Sequence, residues 1–286
     1  MAVLPGWLRP LEARARREET PCGNGSLVWR LWGEGQPVVL LHGGSGSWTH
    51  WLRNIEPLVA SGRQVLVPDM PGFGESALWP AGMDASALPE PIEAGLRALA
   101  GDAPCELVGF SFGGMVGGFL AQRYPERVKR LVEVGAPGMG LWAGRNTLNL
   151  SPWRHLNDEA ARREVNRRNL GILMLHDAVA ITEDTISLQL HNVERDRTKA
   201  RMESRTDALL LALRQLSCPV SAIYGSHDVL YRERMPELRA LFESLPTASG
   251  FMEVEGAGHW VQYERADAFN VALLSVLGPA QATSSR

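Results

Sequence analysis

The sequence predicts an α/β fold built on a mostly parallel sheet, and three observations carry that expectation. Short apolar runs recur without polar alternation, at residues 37–41, 64–68, 105–110, 130–134, 219–224 and 250–254. Strands covered on both faces have this character, because neither face meets water. Helical patterns separate several of them, at roughly residues 51–61, 88–100, 112–123, 233–244 and 264–277. Alternation of strand and helix is the signature of parallel strands joined by crossovers. Finally, several runs end in small or polar turn residues: His42-Gly43-Gly44, Asp69, Ser111, Gly135 and Gly225. The carboxyl ends of such strands are where open α/β sheets hold ligands.

Residues 12–32 read as an opening β-hairpin around the turn Pro21-Cys22-Gly23-Asn24-Gly25. One later interval breaks the alternation. Between Pro137 and Ser217 there is no strand-like run, while residues 157–170 and 182–193 are helical in pattern. Asn157 or Asp158, and Thr182, stand where N-caps belong. The expected division is a core of residues 1–136 and 218–286, with residues 137–217 forming a helical cap over the sheet's carboxyl edge.

Composition narrows the function class. The 286 residues are 45% hydrophobic and 21% charged, with a formal net charge of −3. That is ample material for a large core, and it offers no basic field for nucleic acid. Three sparse cysteines, Cys22, Cys105 and Cys218, have neither disulfide nor metal-ligand spacing, and the latter two read as buried free thiols. The N-terminus lacks the apolar run of a signal peptide, and no stretch is long and apolar enough to span a membrane. A cytoplasmic protein with a small-molecule substrate is expected, with no nucleic acid, no membrane and no metal or organic cofactor. A homodimer is left open.

The chemistry centres on Gly109-Phe110-Ser111-Phe112-Gly113-Gly114, which follows a strand-like run and opens a helical one. A G-x-S-x-G turn in that context holds a serine hydroxyl out of the sheet, and its glycines avoid clashes at the bend. Serine needs a base to become a nucleophile at neutral pH. His259, in Gly256-Ala257-Gly258-His259-Trp260, lies after the last strand run and follows the serine in the order this arrangement requires. Asp228, in Tyr224-Gly225-Ser226-His227-Asp228, falls between them as the acid that would fix the imidazole tautomer. The turn His42-Gly43-Gly44-Ser45-Gly46-Ser47 reads as an oxyanion turn, with the amides of Gly44 and Phe112 as donors. Asp69 reads as structural, orienting loops near the site. The blander readings are a glycine-rich helix entry at Ser111, a helix N-cap at Asp228 and a loop histidine at His259.

Together these motifs resemble the α/β-hydrolase superfamily over roughly residues 26–278. A narrower resemblance, to the meta-cleavage-product hydrolases and related carboxylesterases, rests on three segments. They are Gly258-His259-Trp260-Val261-Gln262-Tyr263-Glu264, Asn54-Ile55-Glu56-Pro57-Leu58 and Ile181-Thr182-Glu183. Those enzymes split carbon–carbon bonds of vinylogous 1,5-diketones. The resemblance implies an α/β-hydrolase fold and substrate contacts at Trp260, Phe110 and Gln189. Some relatives place the acid after the preceding strand, where this chain has Gly135-Ala136-Pro137-Gly138 and no carboxylate. Two positions depart from the narrower group. Phe110 stands where it has Asn, and Gln189 near where it has a cap arginine; the next arginines are Arg195 and Arg197. On those departures the sequence favours a serine hydrolase acting on a carboxylic ester through an acyl-enzyme. Carbon–carbon hydrolysis is the alternative, and a ligand receptor on a hydrolase scaffold a more distant one. Trp142, Trp153, Leu173, Leu188 and Val193 are expected to face the pocket from the cap.

Overall fold

The computed structural model describes residues 3–141, 148–198 and 202–280. A short helix, α1 (Arg9–Ala13), leads into the hairpin β1 (Arg16–Cys22) and β2 (Gly25–Trp32). There follow β3 (Gln36–Leu41), α2 (Ile55–Ala60), β4 (Arg63–Pro68), α3 (Pro89–Ala100), β5 (Cys105–Phe110), α4 (Phe112–Arg123) and β6 (Val128–Val134). Next come α5 (Glu159–Asn169), a π-helical turn over Leu170–Met174, α6 (Glu183–Val193) and α7 (Ala208–Leu213). The chain returns to the sheet with β7 (Val220–Gly225), α8 (Met235–Glu243) and β8 (Ala248–Val254), and closes with α9 (Val261–Glu264) and α10 (Ala266–Leu277).

The strands form one eight-stranded sheet in the order β1-β2-β4-β3-β5-β6-β7-β8. The pairs β1–β2 and β2–β4 are antiparallel, and every other neighbour is parallel. Alternate residues of the central strands enter opposite cores. Val39, Leu41, Leu107 and Leu131 face one apolar layer with α3, α4 and α8. Val38, Leu40, Val108 and Val132 face the other, with α2 and α10. All eight are fully buried or nearly so, and each such side chain contributes about 1.5–3 kcal/mol. This two-sided cover explains why the runs show no alternation in sequence.

The helix starts follow local chemistry. The Asp158 carboxylate accepts the Ala161 N–H at 2.7 Å and caps α5, and the Thr182 hydroxyl accepts the Thr185 N–H at 3.2 Å and caps α6. Between β6 and β7 the described residues contain helices and turns and no strand. The short helix α7 had no separate signal in the sequence. All three cysteines are buried free thiols; burial pushes that of Cys105 up to about 12. No helix among the described residues is long and apolar enough to cross a membrane.

Candidate active site

The end of β5 is bent by steric necessity. A Cβ on Gly109 would lie 2.5 Å from Gly113 O, and one on Gly113 would lie 2.4 Å from Leu41 O. Real side chains do not tolerate such distances, so only glycine lets β5, α4 and β3 approach this closely. Between them Ser111 takes φ 52°, a left-handed conformation uncommon outside glycine. Its N–H is held by Val134 O at 2.8 Å. Ser111 therefore opens α4 with its hydroxyl facing a cavity.

The Ser111 hydroxyl lies 3.0 Å from His259 Nε2. The other ring nitrogen, Nδ1, lies 3.0 Å and 2.9 Å from the two carboxylate oxygens of Asp228. Asp228 is wholly buried and His259 nearly so. A buried carboxylate at Nδ1 puts the imidazole proton there and leaves Nε2 to accept a proton from the serine. Asp228 is fixed in turn by the Leu230 N–H at 3.0 Å. It does not cap α8, which begins at Met235. The segment that the resemblance offers as an alternative acid site, Gly135-Ala136-Pro137-Gly138, begins beside the same pair. A Cβ on Gly135 would lie 3.2 Å from both Asp228 Oδ2 and His259 Nδ1, so the two placements reach one point in space.

The turn after β3 is pinned from both sides. His42 donates from Nδ1 to Gly43 O at 2.8 Å and accepts the Met70 N–H on Nε2 at 2.9 Å. The Gly43 N–H is taken by His50 Nδ1 at 3.2 Å. In a trans peptide the C=O and the next N–H point opposite ways. With Gly43 O tied to His42, the Gly44 N–H faces away from that ring. Gly44 lines the cavity beside Ser111 and Phe112. Asp69 holds the same loop, accepting the Trp48 N–H at 2.9 Å on one oxygen and meeting Arg30 at 3.3 Å with the other.

His50 is a site residue that sequence reading passed over. It is buried, its ring lying 4.9 Å from Trp260 and 5.4 Å from Phe110. A Cβ on Gly46 would fall 2.2 Å from the His50 ring, so this glycine makes room for it. Burial, with His42 and His259 nearby, holds its pKa well below the usual imidazole range. The neutral ring can accept from Gly43. The only signal in sequence was the spacing Gly46-x-x-x-His50, too weak to read alone.

A cavity of about 300 Å³ opens over Ser111. The sheet side contributes Gly44, Ser45, Phe110, Phe112 and His259, and the segment between β6 and β7 contributes Trp153, Asn166, Leu173, Gln189 and Val193, among others. Phe110 and Gln189 thus reach the cavity. Trp260 corrects the expectation of a substrate contact: it is not on the cavity wall. Its indole N–H binds His50 O at 3.1 Å and its ring stacks on Tyr263 with centroids 4.1 Å apart, which draws it inward. Trp153, Leu173 and Val193 line the cavity, whereas Leu188 is core. Trp142 lies outside the described residues. Arg195 is bound to His191 at 3.0 Å, and Arg197 reaches backbone carbonyls of Phe73, Gly74 and Ser76. Neither lines the cavity, and among the described residues no Lys or Arg does. No cluster of metal-ligating side chains occurs among the described residues.

Residues 36–169 match the family described as the alpha/beta hydrolase fold. The match spans β3 to the end of α5 and includes the Ser111 turn. The chain has the α/β-hydrolase fold. It is 27% identical over 261 residues to a 2-hydroxy-6-oxo-6-phenylhexa-2,4-dienoate hydrolase from Burkholderia cepacia, covering 86% of this chain and 88% of that one. It is 29% identical over 257 residues to a 2-hydroxy-6-oxononadienedioate/2-hydroxy-6-oxononatrienedioate hydrolase from Cupriavidus pinatubonensis, covering 85% and 87%. Among solved structures, a meta-cleavage product hydrolase from Pseudomonas fluorescens IP01 superposes with a TM-score of 0.71 at 26% identity, covering 91% of this chain and 97% of the other. A carboxylesterase from Bacillus subtilis gives 0.77 at 19% identity, covering 94% of each chain, a likeness of fold.

Proposed function

We propose that this hydrolase cleaves a carbon–carbon bond next to a ketone in a small vinylogous diketone acid, with Ser111 as nucleophile, His259 as base and Asp228 as its orienting acid. The observation that carries the chemistry is the line from Asp228 through His259 to the Ser111 hydroxyl, at 2.9 Å and 3.0 Å. Two relatives, each sharing more than four-fifths of the chain's length, are named for such substrates. Their names favour carbon–carbon cleavage over the ester reading that rests on Phe110 and Gln189.

In this reading His259 takes the Ser111 proton as the serine oxygen bonds to the ketone carbon. The carbonyl oxygen becomes an oxyanion facing the amides of Gly44 and Phe112, and each such donor lowers the barrier by about 3 kcal/mol. The carbon–carbon bond breaks as the oxyanion collapses, and the departing carbon takes the proton from imidazolium. Water deprotonated by His259 then releases the acyl group as a carboxylic acid. The departing carbon is basic, so a dienol substrate must first become its keto form.

One observation favours a second reading, simple ester hydrolysis. Phe110 and Gln189 leave the described cavity wall without a cation, and an ester's leaving alkoxide needs less charge stabilisation than carbon. The test compares kcat/KM for a 6-phenyl dienoate with that for a phenyl ester of similar size. Carbon–carbon hydrolysis predicts that the dienoate is the faster substrate. A faster ester, with dienoate turnover near background, would overturn the proposal.

A further inference from the structure

The turn that carries Gly44 is fastened to the segment between β6 and β7 by side-chain hydrogen bonds that nothing in the triad requires. The Ser45 hydroxyl donates to Asp196 Oδ2 at 2.6 Å. Asp196 is nearly buried, and its other oxygen accepts the Thr198 N–H at 2.9 Å and the Thr198 hydroxyl at 2.6 Å. Two residues further along the turn, the Ser47 hydroxyl donates to Asn192 Oδ1 at 2.8 Å, and the Thr49 hydroxyl reaches the same oxygen at 3.0 Å. Asn192 lies in the last turn of α6 and is fully buried. Arg154 then ties down the chain between these two residues, donating to Val193 O and Asp196 O at 2.9 Å each.

Backbone strain shows where this matters. Among the described residues only two non-glycine positions have positive φ, Ser111 at 52° and Ser45 at 54°. Both line the cavity. Such a conformation costs on the order of 1–3 kcal/mol and persists only where its surroundings hold it. At Ser111 the nucleophile turn holds it. At Ser45 the conspicuous restraint is a short bond from a hydroxyl to a carboxylate, a class of hydrogen bond roughly twice as strong as a neutral one.

We propose that Asp196, backed by Asn192, is a positioning residue for the oxyanion turn, so that the segment between β6 and β7 sets the donor geometry at Gly44 as well as forming the substrate wall. Asp196 is not on the cavity wall; it acts through Ser45. The catalytic consequence rests on the reading of Gly44 as an oxyanion donor. A substrate that displaces the end of α6 then loses rate as well as fit.

The experiment uses the full chain and three variants, Asp196→Asn, Asp196→Ala and Ser45→Ala. Ser45→Ala removes the bond from the sheet side without altering the α6 segment, which guards against misfolding of the Asp196 variants. Hydrogen exchange across residues 43–49 reads the turn directly, and kcat, KM and the affinity of a trifluoromethyl ketone read its effect on catalysis. Exchange in the turn should rise in Asp196→Ala and Ser45→Ala. kcat and ketone affinity should fall together by about 10- to 100-fold, the scale set by displacing a catalytic group by about an ångström, with KM changed less than threefold. The double variant Ser45→Ala/Asp196→Ala should be no worse than the weaker single one. Unchanged exchange in the Ala variants overturns the proposal. So does a rise in KM alone, which would make Asp196 part of the wall. Faster exchange with normal kcat retains the restraint and rejects Gly44 as a donor instead, which separates the failure of the two ideas.

Discussion

The turn at Ser111 and the wall at Gln189 face the same cavity, yet they are held by different forces. Around Ser111 the constraint is steric and backbone-borne: Gly109 and Gly113 have no room for a Cβ, and the Ser111 N–H is tied to β6. At Gln189 it is borne by side chains: α6 is held through hydrogen bonds of Asn192 with Ser47 and Thr49 and of Thr185 with Tyr263, and the Gln189 Oε1 is itself buried without a partner among the described residues. A site built from backbone tolerates almost no change, whereas a wall built from side chains can alter its chemistry while the fold persists.

The largest expected effect lies on the backbone-borne side. Asp228→Asn should lower kcat by about 10⁴-fold with little change in KM, because the geometry survives while the tautomer and the charge do not. Steady-state kinetics, with circular dichroism to show an intact fold, would check it. Turnover within tenfold of wild type would place the acid elsewhere and erase the contrast between the two regions.

On the other side, wall changes should redistribute substrates rather than abolish turnover. Leu173→Ala and Trp153→Ala enlarge the cavity from the segment between β6 and β7. Each should shift the ratio of kcat/KM between a larger and a smaller acyl group by about 10- to 200-fold towards the larger. A uniform loss for every acyl group would show that these side chains serve the fold or the chemistry instead of the choice of substrate.

The smallest effect concerns a group belonging to neither region. Glu133, in β6, is fully buried, and neither carboxyl oxygen has a partner among the described residues. It lies against α4, where a Cβ on Gly114 would be 2.3 Å from Oε2. Burial raises its pKa well above the ordinary carboxylate value of 4.5. The folded state therefore keeps a proton that the unfolded chain releases above that value. Its contribution falls as pH rises from about 4.5 through the raised folded value. Glu133→Met should stabilise the protein by about 1–3 kcal/mol, the cost of one unsatisfied buried polar group, and the gain should grow with pH. Urea unfolding at pH 5 and pH 8 measures both. A destabilised variant at both pH values would mean that Glu133 has a partner and a role.

The same contrast decides what could be read from the sequence. The parallel sheet was legible because its strands are buried on both faces. The glycines around Ser111 were legible because their reason is local, three or four residues along one turn. Ser111, Asp228 and His259 each end or follow a strand, so order along the chain stands in for proximity. His50 was not legible, since its task depends on Gly43 and on the gap left at Gly46, and folding alone brings these together. Trp260 was misplaced because adjacency to His259 says nothing about which way its ring turns; His50 O and Tyr263 draw it away from the cavity. Asp196 was missed because 151 residues separate it from Ser45.

The central claim, that Ser111 is the nucleophile of a carbonyl hydrolase, is tested most directly by mass spectrometry after treatment with a fluorophosphonate. Wild type should gain one phosphonyl group, mapped to Ser111 on its proteolytic peptide, and lose all turnover in step with labelling. Ser111→Ala should gain none and should hydrolyse neither the dienoate nor the ester above background. An adduct that persists in Ser111→Ala, or full turnover by a fully labelled protein, would contradict the account.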